Sequence, residues 1–550
     1  MSGMPSASSP EPSTILVDGT PPPKGHLRLF QRSIRYHRPR APFCGVGYCT
    51  NCLVRVEGRT NVRACREGFD IPAMKSTANA WPSPSFDLLG IIDVVFPRGI
   101  DTLRGFRRPA VFTPLYQRVV RRLSGYDDPP SEATRVPARV ATRRIVEVAI
   151  VGGGVSGSAA AAALLRSGAS SVLVLDRDAR DPSSSGGELL GRTTAVFLPP
   201  PDAAAAQPFS IAASNDSGEG VEVRARSVIV ATGGYDASLL FSGNDRPGVL
   251  TAEGAFALSA SGPPPFDHAI VFGGGDRARE VLARFPGRVS AVVAPGDIHP
   301  DLVRLASERG VPLYPRSLVL SALGRRRVRA LRLRTRSDGP AFKLDADVVI
   351  LAHRRVPHPQ LFFQAGAEMQ WRSRLAAYFP IVSETGQTTV PGLYAVGEAA
   401  GVFDPNAAVA SAQRAATSIL QRDPSSPTSS PPLFADRPGE FEGYYRELLR
   451  QPRGTGKWIA CPCEDVLLHE IEDAERHGYR GIEVIKRYTG LGTGLCQGRY
   501  CLPDALLLLS ILEERRPSEV GYITQRPPVL PTALGALASF ADPPDEKESR

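Results

Sequence analysis

Three of the chain's 8 cysteines fall in one short stretch, "CGVGYCTNC", from Cys44 to Cys52. A disulfide needs two thiols, and a zinc site usually pairs one C-x-x-C with another. Neither explains C-x4-C-x2-C. Adding Cys65 gives C-x4-C-x2-C-x12-C, in which a tight loop supplies three thiolates and a later strand the fourth. That is a donor set for a [2Fe–2S] cluster, with two thiolates on each iron. Gly45 and Gly47 let the backbone fold round the cluster and aim N–H groups at its sulfides. "CLVRVEG" alternates like a strand, and Gly58 begins the turn before Cys65. The other four, Cys461, Cys463, Cys496 and Cys501, are spaced C-x-C-x32-C-x4-C beside the glycine-rich "GLGTGLCQGRYC" and form a second set. "CPCEDV" reads as a helix start with Asp465 in its first turn. Zinc is the alternative for both sets, and free thiols for the first. No cysteine lies between Cys65 and Cys461, so the intervening region lacks the redox pair of a disulfide reductase.

That region has its own chemistry. "VEVAIVGGGVSG" is a strand running into Gly152, Gly154 and Gly157, a G-x-G-x-x-G. An Ala-rich helix follows, then the strand "SVLVLD" ending at Asp176, placed to bind a ribose hydroxyl. The glycines let a pyrophosphate approach the helix N-terminus. "SVIVATGG", with Thr232 and Gly233, and "VPGLYAVGEAAG", with Gly397 and Glu398, resemble motifs of flavoproteins with two dinucleotide domains, which implies FAD. An aspartate is commoner than Glu398 at that place; the longer acid could still reach the cofactor. "HAIVFGGGDRARE" is a second glycine turn, with Gly273 and Gly275, and Ala278 at the third position. The next strand has no acid at its end. Either an NAD(P) site or a retained domain that no longer binds nicotinamide fits it.

The elements that must position these residues follow from composition. The 550 residues, 42% hydrophobic and 22% charged, describe an ordinary globular chain of several domains. The net charge of +9 comes from scattered arginines with no basic stripe interleaved with aromatics, which argues against nucleic acid. No apolar run spans a membrane, and the N-terminus has neither signal-peptide nor transit-peptide character, so the cytoplasm is the expected location. The divisions are a disordered tail (1–25), a ferredoxin-like domain (26–72), a connecting segment (73–142), an FAD-binding domain (143–262 and 341–422), a second nucleotide-binding domain (263–340), a linker (423–454), a second cluster domain (455–515) and a C-terminal extension (516–550).

"RSIRYHRPRAPFCGVGYCTNC", "NAWPSPSFDLL", "FTPLYQRVVRRLSG", the glycine motifs, "IEVIKRYTGLGTG" and "QRPPVLPTALGALA" together resemble one family over roughly residues 30–540. It is the α-subunit family of heterotetrameric sarcosine oxidase, with its relatives in opine oxidases, hydrogen cyanide synthase and proline or hydroxyproline dehydrogenases. The first cysteine set also resembles the cluster domains of molybdenum hydroxylases and cyanide synthase, and the second resembles bacterioferritin-associated ferredoxin. The resemblance implies an α/β flavoprotein with two Rossmann-like domains, an N-terminal β-grasp ferredoxin-like domain and a small helical C-terminal [2Fe–2S] domain. It implies FAD, two [2Fe–2S] clusters and a flavin-containing, substrate-oxidising partner subunit. Relative to the family, the chain is short before "RSIRYHRPR" and between "SSGGELL" and "GRTTAVF". The implied function is electron transfer within an amine- or imino-acid-oxidising complex of sarcosine, opine, glycine or proline type. Two rivals are a stand-alone NAD(P)H-dependent reductase and a degenerate assembly protein without redox activity. No residue of this chain is assigned to catalysis; His37 and His353 read as surface or structural.

Overall fold

A computed structural model describes residues 27–56, 59–69, 74–75, 80–96, 140–178, 187–335, 339–421, 439–452 and 456–540. The expected tail, most of the connecting segment and residues 179–186 before Gly187 lie outside the described residues.

The glycine-rich motif sits where an apolar strand must turn. Thr142–Val151 pairs in parallel with Val172–Leu175, and Val155–Arg166 crosses between them. Val172–Leu175 is buried at every residue, the pattern of a parallel strand covered on both faces. The sheet runs Glu188–Leu190, Val172–Leu175, Thr142–Val151, Gly220–Val230. The far edge of Gly220–Val230 is shared. Its first half pairs antiparallel with Phe209–Asn215, and its end pairs in parallel with Leu393–Ala395.

The second sheet has five parallel strands, in the order Val249–Thr251, Val348–Leu351, Ala269–Phe272, Val289–Val293, Leu313–Tyr314. A three-stranded antiparallel sheet follows, Ser317–Leu323, Ala330–Thr335 and Ala341–Asp345. The domain boundaries expected from sequence need correction here. Val249–Thr251, the helix Ala252–Ala260 and Val348–Leu351 belong to the second domain, because Leu250 pairs with Ile350 and Ile350 with Val271. A short apolar strand reads the same whichever sheet receives it; only pairing decides. Gly234–Asp236 and Arg355–Pro357, paired antiparallel, carry the chain between the two sheets.

Cys44, Cys49 and Cys52 lie on the loop between Pro39–Arg40 and Leu53–Val56. Cys65 is on the one-turn helix Ala64–Glu67, not on a strand as expected. Leu53–Val56 pairs with Arg59–Arg63 and Met74–Lys75. At the other end, the hairpin Ile459–Cys461 and Val466–Leu467 precedes the helices Leu468–Arg476, Ile482–Thr489 and Leu502–Leu512. Asp465 therefore opens no helix. It sits fully buried in the hairpin turn and accepts hydrogen bonds from the backbone N–H of Arg35 (2.9 Å) and Tyr36 (3.3 Å) and from the Arg40 guanidinium. Arg38 and Arg40 both pair with Asp245, and Arg35 with Glu470. "RSIRYHRPR" is thus a strap binding the N-terminal cysteine loop to the C-terminal module. His37 is part of it, buried with Nδ1 2.9 Å from Asp87.

The linker expected over 423–454 contains a helix, Glu440–Arg450. Phe441, Tyr444, Tyr445 and Leu448 form one buried face at helical spacing, which anchors it. No helix among the described residues is long and apolar enough to cross a membrane.

Candidate cofactor site

All eight cysteines are free thiols, and seven are buried. The Cys44 thiol is in hydrogen-bonding contact with those of Cys49 and Cys65, and Cys65 also reaches Cys52. Burial alone would raise the Cys44 thiol. Bonds from the Cys49 and Cys65 thiols and from the Cys49 and Val46 backbone instead hold it well below the usual thiol range. Gly45 adopts φ +67° because its loop presses on the helix Ala252–Ala260; a Cβ there would lie 2.7 Å from Ala257 Cβ and from Glu253 O.

In the second set Cys463 contacts Cys496, and Cys461 contacts Cys501. Contact with Cys463, together with backbone N–H groups of the glycine loop, lowers the Cys496 thiol. Thiols in pairwise contact, with one of each set held toward the thiolate form, suit a cluster that takes two thiolates on each iron. Among the described residues, no three His, Cys, Asp or Glu side chains surround a single point as one metal ion needs. The two sets are neighbours. One apolar core contains Cys44 and Cys49 together with Cys461, Cys463, Cys496 and Cys501. Between them stands Tyr500, buried, its ring 5.2 Å from Phe43 and its hydroxyl beside the Cys44 thiol without a well-formed partner.

A cavity of about 220 Å³ opens at the first glycine turn. Gly152, Gly154, Asp176, Thr232 and Gly233 line it, as does Tyr48 from between Cys44 and Cys49 and Arg499 from between Cys496 and Cys501. The residues fit a dinucleotide. A Cβ on Gly154 would meet nothing within 4 Å, so the turn leaves an open cradle at the N-terminus of Val155–Arg166. Thr232 Oγ1, His358 Nδ1, both amide atoms of Gln360 and Arg499 Nε are buried without partners, and all four residues line the cavity. Unpaired buried polar atoms are costly, and a ligand rich in acceptors and donors would satisfy them. Asp176 also lines the cavity while accepting from the Asp178 N–H at 2.7 Å.

Three expected residues stand apart from it. Gly157 lies under the turn, where a Cβ would sit on Gly152 O; it sets how closely the helix packs on the strand. Gly397 packs on Ser156 at the same helix start. Glu398 does not face the cavity. It accepts from Gly234 N at 2.8 Å and from Arg355 Nε at 2.7 Å. It belongs to a half-buried cluster of three carboxylates, Asp236, Glu253 and Glu398, against two guanidiniums, Arg277 and Arg355, in which Asp236 is the buried member. This cluster pins the two crossings between the sheets.

The excess carboxylate has a consequence. Burial first, then Asp236, pushes the Glu253 carboxyl up to about 7, against Arg355 and Arg277. A carboxyl raised from 4.5 to about 7 binds more protons folded than unfolded between those values. Stability from this group therefore falls as pH rises through that window and levels off above it. Glu253→Gln balances the cluster. It is expected to flatten that slope and to stabilise the protein near pH 8 by about 1 to 3 kcal/mol, read from denaturation midpoints across the window.

The second glycine turn, with Gly273 and Gly275, is elsewhere, at the end of Ala269–Phe272. Helix Glu440–Arg450 packs over the ends of this sheet. The Phe441 ring is 5.2 Å from His353 and the Tyr444 ring 6.0 Å from Phe272. A Cβ on Gly296 would meet Glu440, and His299 N donates to Gly274 O at 2.7 Å. The crevice at the carboxyl ends of such strands is where a nucleotide would lie. His353 is half-buried there, with both ring nitrogens enclosed.

Sequence reading missed Tyr48, Arg177, His358, Gln360 and Arg499. Tyr48 and Arg499 lie inside the cysteine loops and could have been suspected on that ground. The other three carry no motif.

Three family models match separate parts of the chain: a 2Fe-2S iron-sulfur cluster binding domain over residues 24–69, pyridine nucleotide-disulphide oxidoreductase over 203–418, and the sarcosine oxidase A3 domain over 456–540. The opine oxidase A-type protein of Agrobacterium tumefaciens (strain Ach5) is 26% identical across 61% of this chain and 73% of its own length. The sarcosine oxidase α protein of Rhizobium meliloti (strain 1021) is 26% identical across 92% of this chain, which spans 54% of that relative. The HcnB protein of hydrogen cyanide synthase from Pseudomonas aeruginosa is 26% identical across 36% of the chain. The fold is similar to that of L-proline dehydrogenase from P. horikoshii, with a TM-score of 0.63 at 18% identity over 97% of this chain and 98% of that one. The chain is thus similar to sarcosine oxidase α-type and opine oxidase A-type proteins, and it joins a match to a 2Fe-2S domain to the flavoprotein oxidoreductase fold.

Proposed function

We propose that this chain is the FAD- and iron–sulfur-containing electron-transfer subunit of an amine- or imino-acid-oxidising complex. One observation carries the reading: Tyr48 and Arg499, one residue from each cysteine loop, line the same cavity as the first glycine turn. A flavin-containing partner subunit would take a hydride from the carbon next to nitrogen in sarcosine, an opine, glycine or proline, and release of the N–H proton to solvent would leave an imine. This chain receives the electrons. Clusters carry one electron at a time, and FAD exchanges one or two.

The chain's residues provide the holding. Cys44, Cys49, Cys52 and Cys65 bind one [2Fe–2S] cluster, and Cys461, Cys463, Cys496 and Cys501 a second. Gly152 and Gly154 admit the FAD pyrophosphate, Asp176 takes a ribose hydroxyl, and Thr232 and Gly233 close the far side. Burial keeps water from seven of the eight cysteines, six of which share one core. Helix Glu440–Arg450 over the second sheet supports a domain retained for architecture, so Gly273 and Gly275 receive no NAD(P) in this reading.

Protein purified without oxygen is expected to carry about four irons, matching acid-labile sulfide and about one FAD per chain. Half that iron would leave one set empty. Rapid flavin bleaching by NADH or NADPH without a partner would favour the stand-alone reductase and sink the partner-fed reading. A folded sample with neither iron nor flavin would leave only the assembly protein.

A further inference from the structure

The cavity wall contains a contact that neither cysteine set needs for itself. Arg499 is 3% exposed, yet no carboxylate pairs with it among the described residues. Its Nη1 donates to Cys496 O at 2.9 Å, and both Nη atoms reach Val529 O at 3.2 Å. Its Nε has no acceptor. The guanidinium lies over the Tyr48 ring at 4.8 Å, and Arg177 lies over the same ring at 4.3 Å. A buried guanidinium held by two carbonyls, with one N–H unused and a cavity in front of it, calls for an acceptor in that cavity.

We propose that Arg499 is an FAD-positioning residue which, stacked on Tyr48, ties flavin binding to the assembly of both cysteine loops. The inference rests on the cavity being an FAD site, as proposed above. Arg499 is fixed by the carbonyl of Cys496, so its placement depends on how the loop from Cys496 to Cys501 is folded. Tyr48 sits between Cys44 and Cys49, so the stack depends on the other loop. Filling either cysteine set orders one half of the stack and prepares the cavity wall. By linkage, flavin in the cavity favours filled cysteine sets to the same degree.

The test uses the full chain, stripped of flavin and titrated with FAD, with iron and sulfide counted in every sample. Arg499→Ala is expected to weaken FAD binding roughly 10- to 100-fold while iron content stays at the wild-type level. Arg499→Lys keeps the charge and should recover part of that loss. The midpoint potential of the flavin should fall in Arg499→Ala, because reduction adds electron density that a nearby cation favours. Tyr48→Leu should weaken FAD about 3- to 10-fold, and Tyr48→Phe, which keeps the ring, should not. Removing iron from the wild-type protein should weaken FAD binding, and removing it from Arg499→Ala should weaken it little further.

Wild-type FAD affinity in Arg499→Ala would overturn the proposal. So would an equal effect of iron removal with and without Arg499, since the coupling would then bypass it. If Arg499→Ala does not fold, Arg499→Lys and the Tyr48 pair still decide: unchanged affinity in both Arg499→Lys and Tyr48→Leu would refute it. Wild-type protein that takes up iron but no FAD would instead refute the FAD reading of the cavity.

Discussion

Asp465→Ala is expected to lower the unfolding free energy by about 3 to 5 kcal/mol, the usual cost of removing one partner from a buried ion pair. The residue is 0% exposed, and Arg40, which it holds, is 1% exposed. Removing the carboxylate leaves the Arg40 Nη2 with only Pro462 O at 3.1 Å, and it orphans the backbone N–H groups of Arg35 and Tyr36. Arg40 retains Asp245 through Nη1 at 3.0 Å, which keeps the cost from rising further. The strap carries the chain directly into Cys44, and Asp465 lies two residues after Cys463. Iron content should therefore fall in both cysteine sets, not only in the nearer one. Asp465→Asn, which keeps an acceptor for the two N–H groups, should lose less. Denaturant midpoints with iron analysis measure both effects. A stability change under about 0.5 kcal/mol, the range of ordinary surface substitutions, would show that the strap does not hold the two modules together.

Gly157→Ala is the second large effect. The added methyl would fall on Gly152 O and within 3.4 Å of Ala231 Cβ. Gly152 cannot yield, since it holds φ +106° against the carbonyl of Ala231. The helix Val155–Arg166 must therefore move off the strand. The expected cost is about 1 to 3 kcal/mol, as for other overpacked interiors, together with loss of FAD uptake. Gly154→Ala separates the two consequences. Its φ of −70° suits alanine, and a Cβ there meets nothing within 4 Å. Stability should stay within about 0.5 kcal/mol while FAD binding weakens, because the methyl enters the cradle meant for the pyrophosphate. Equal stability loss in the two variants would mean that the turn serves packing alone.

The local chemistry of this protein is legible in its residues. Two groups of four cysteines, a glycine turn between a buried strand and an Ala-rich helix, and an acid at the end of the next strand are short-range patterns. Each is set by the geometry of a few neighbouring peptides, so spacing suffices to find them. Gly152, Gly154, Asp176, Thr232 and Gly233 do line one cavity. What lies around that cavity was decided by tertiary structure. Arg40 meets Asp465 across 425 positions, and no periodicity announces the pair. Glu398 turns away from the cavity because Arg355 and Gly234 N bind it more closely. Helix Glu440–Arg450 follows a low-complexity stretch, yet its aromatic face buries against the second sheet. Val249–Thr251 joined that sheet because strand pairing, not composition, chooses the partner. Tyr48 and Arg499 are ordinary residues within two loops that lie far apart in the chain. Only the burial of Cys44 and Cys49 in one core with the second cysteine set stacks them together in the cavity wall.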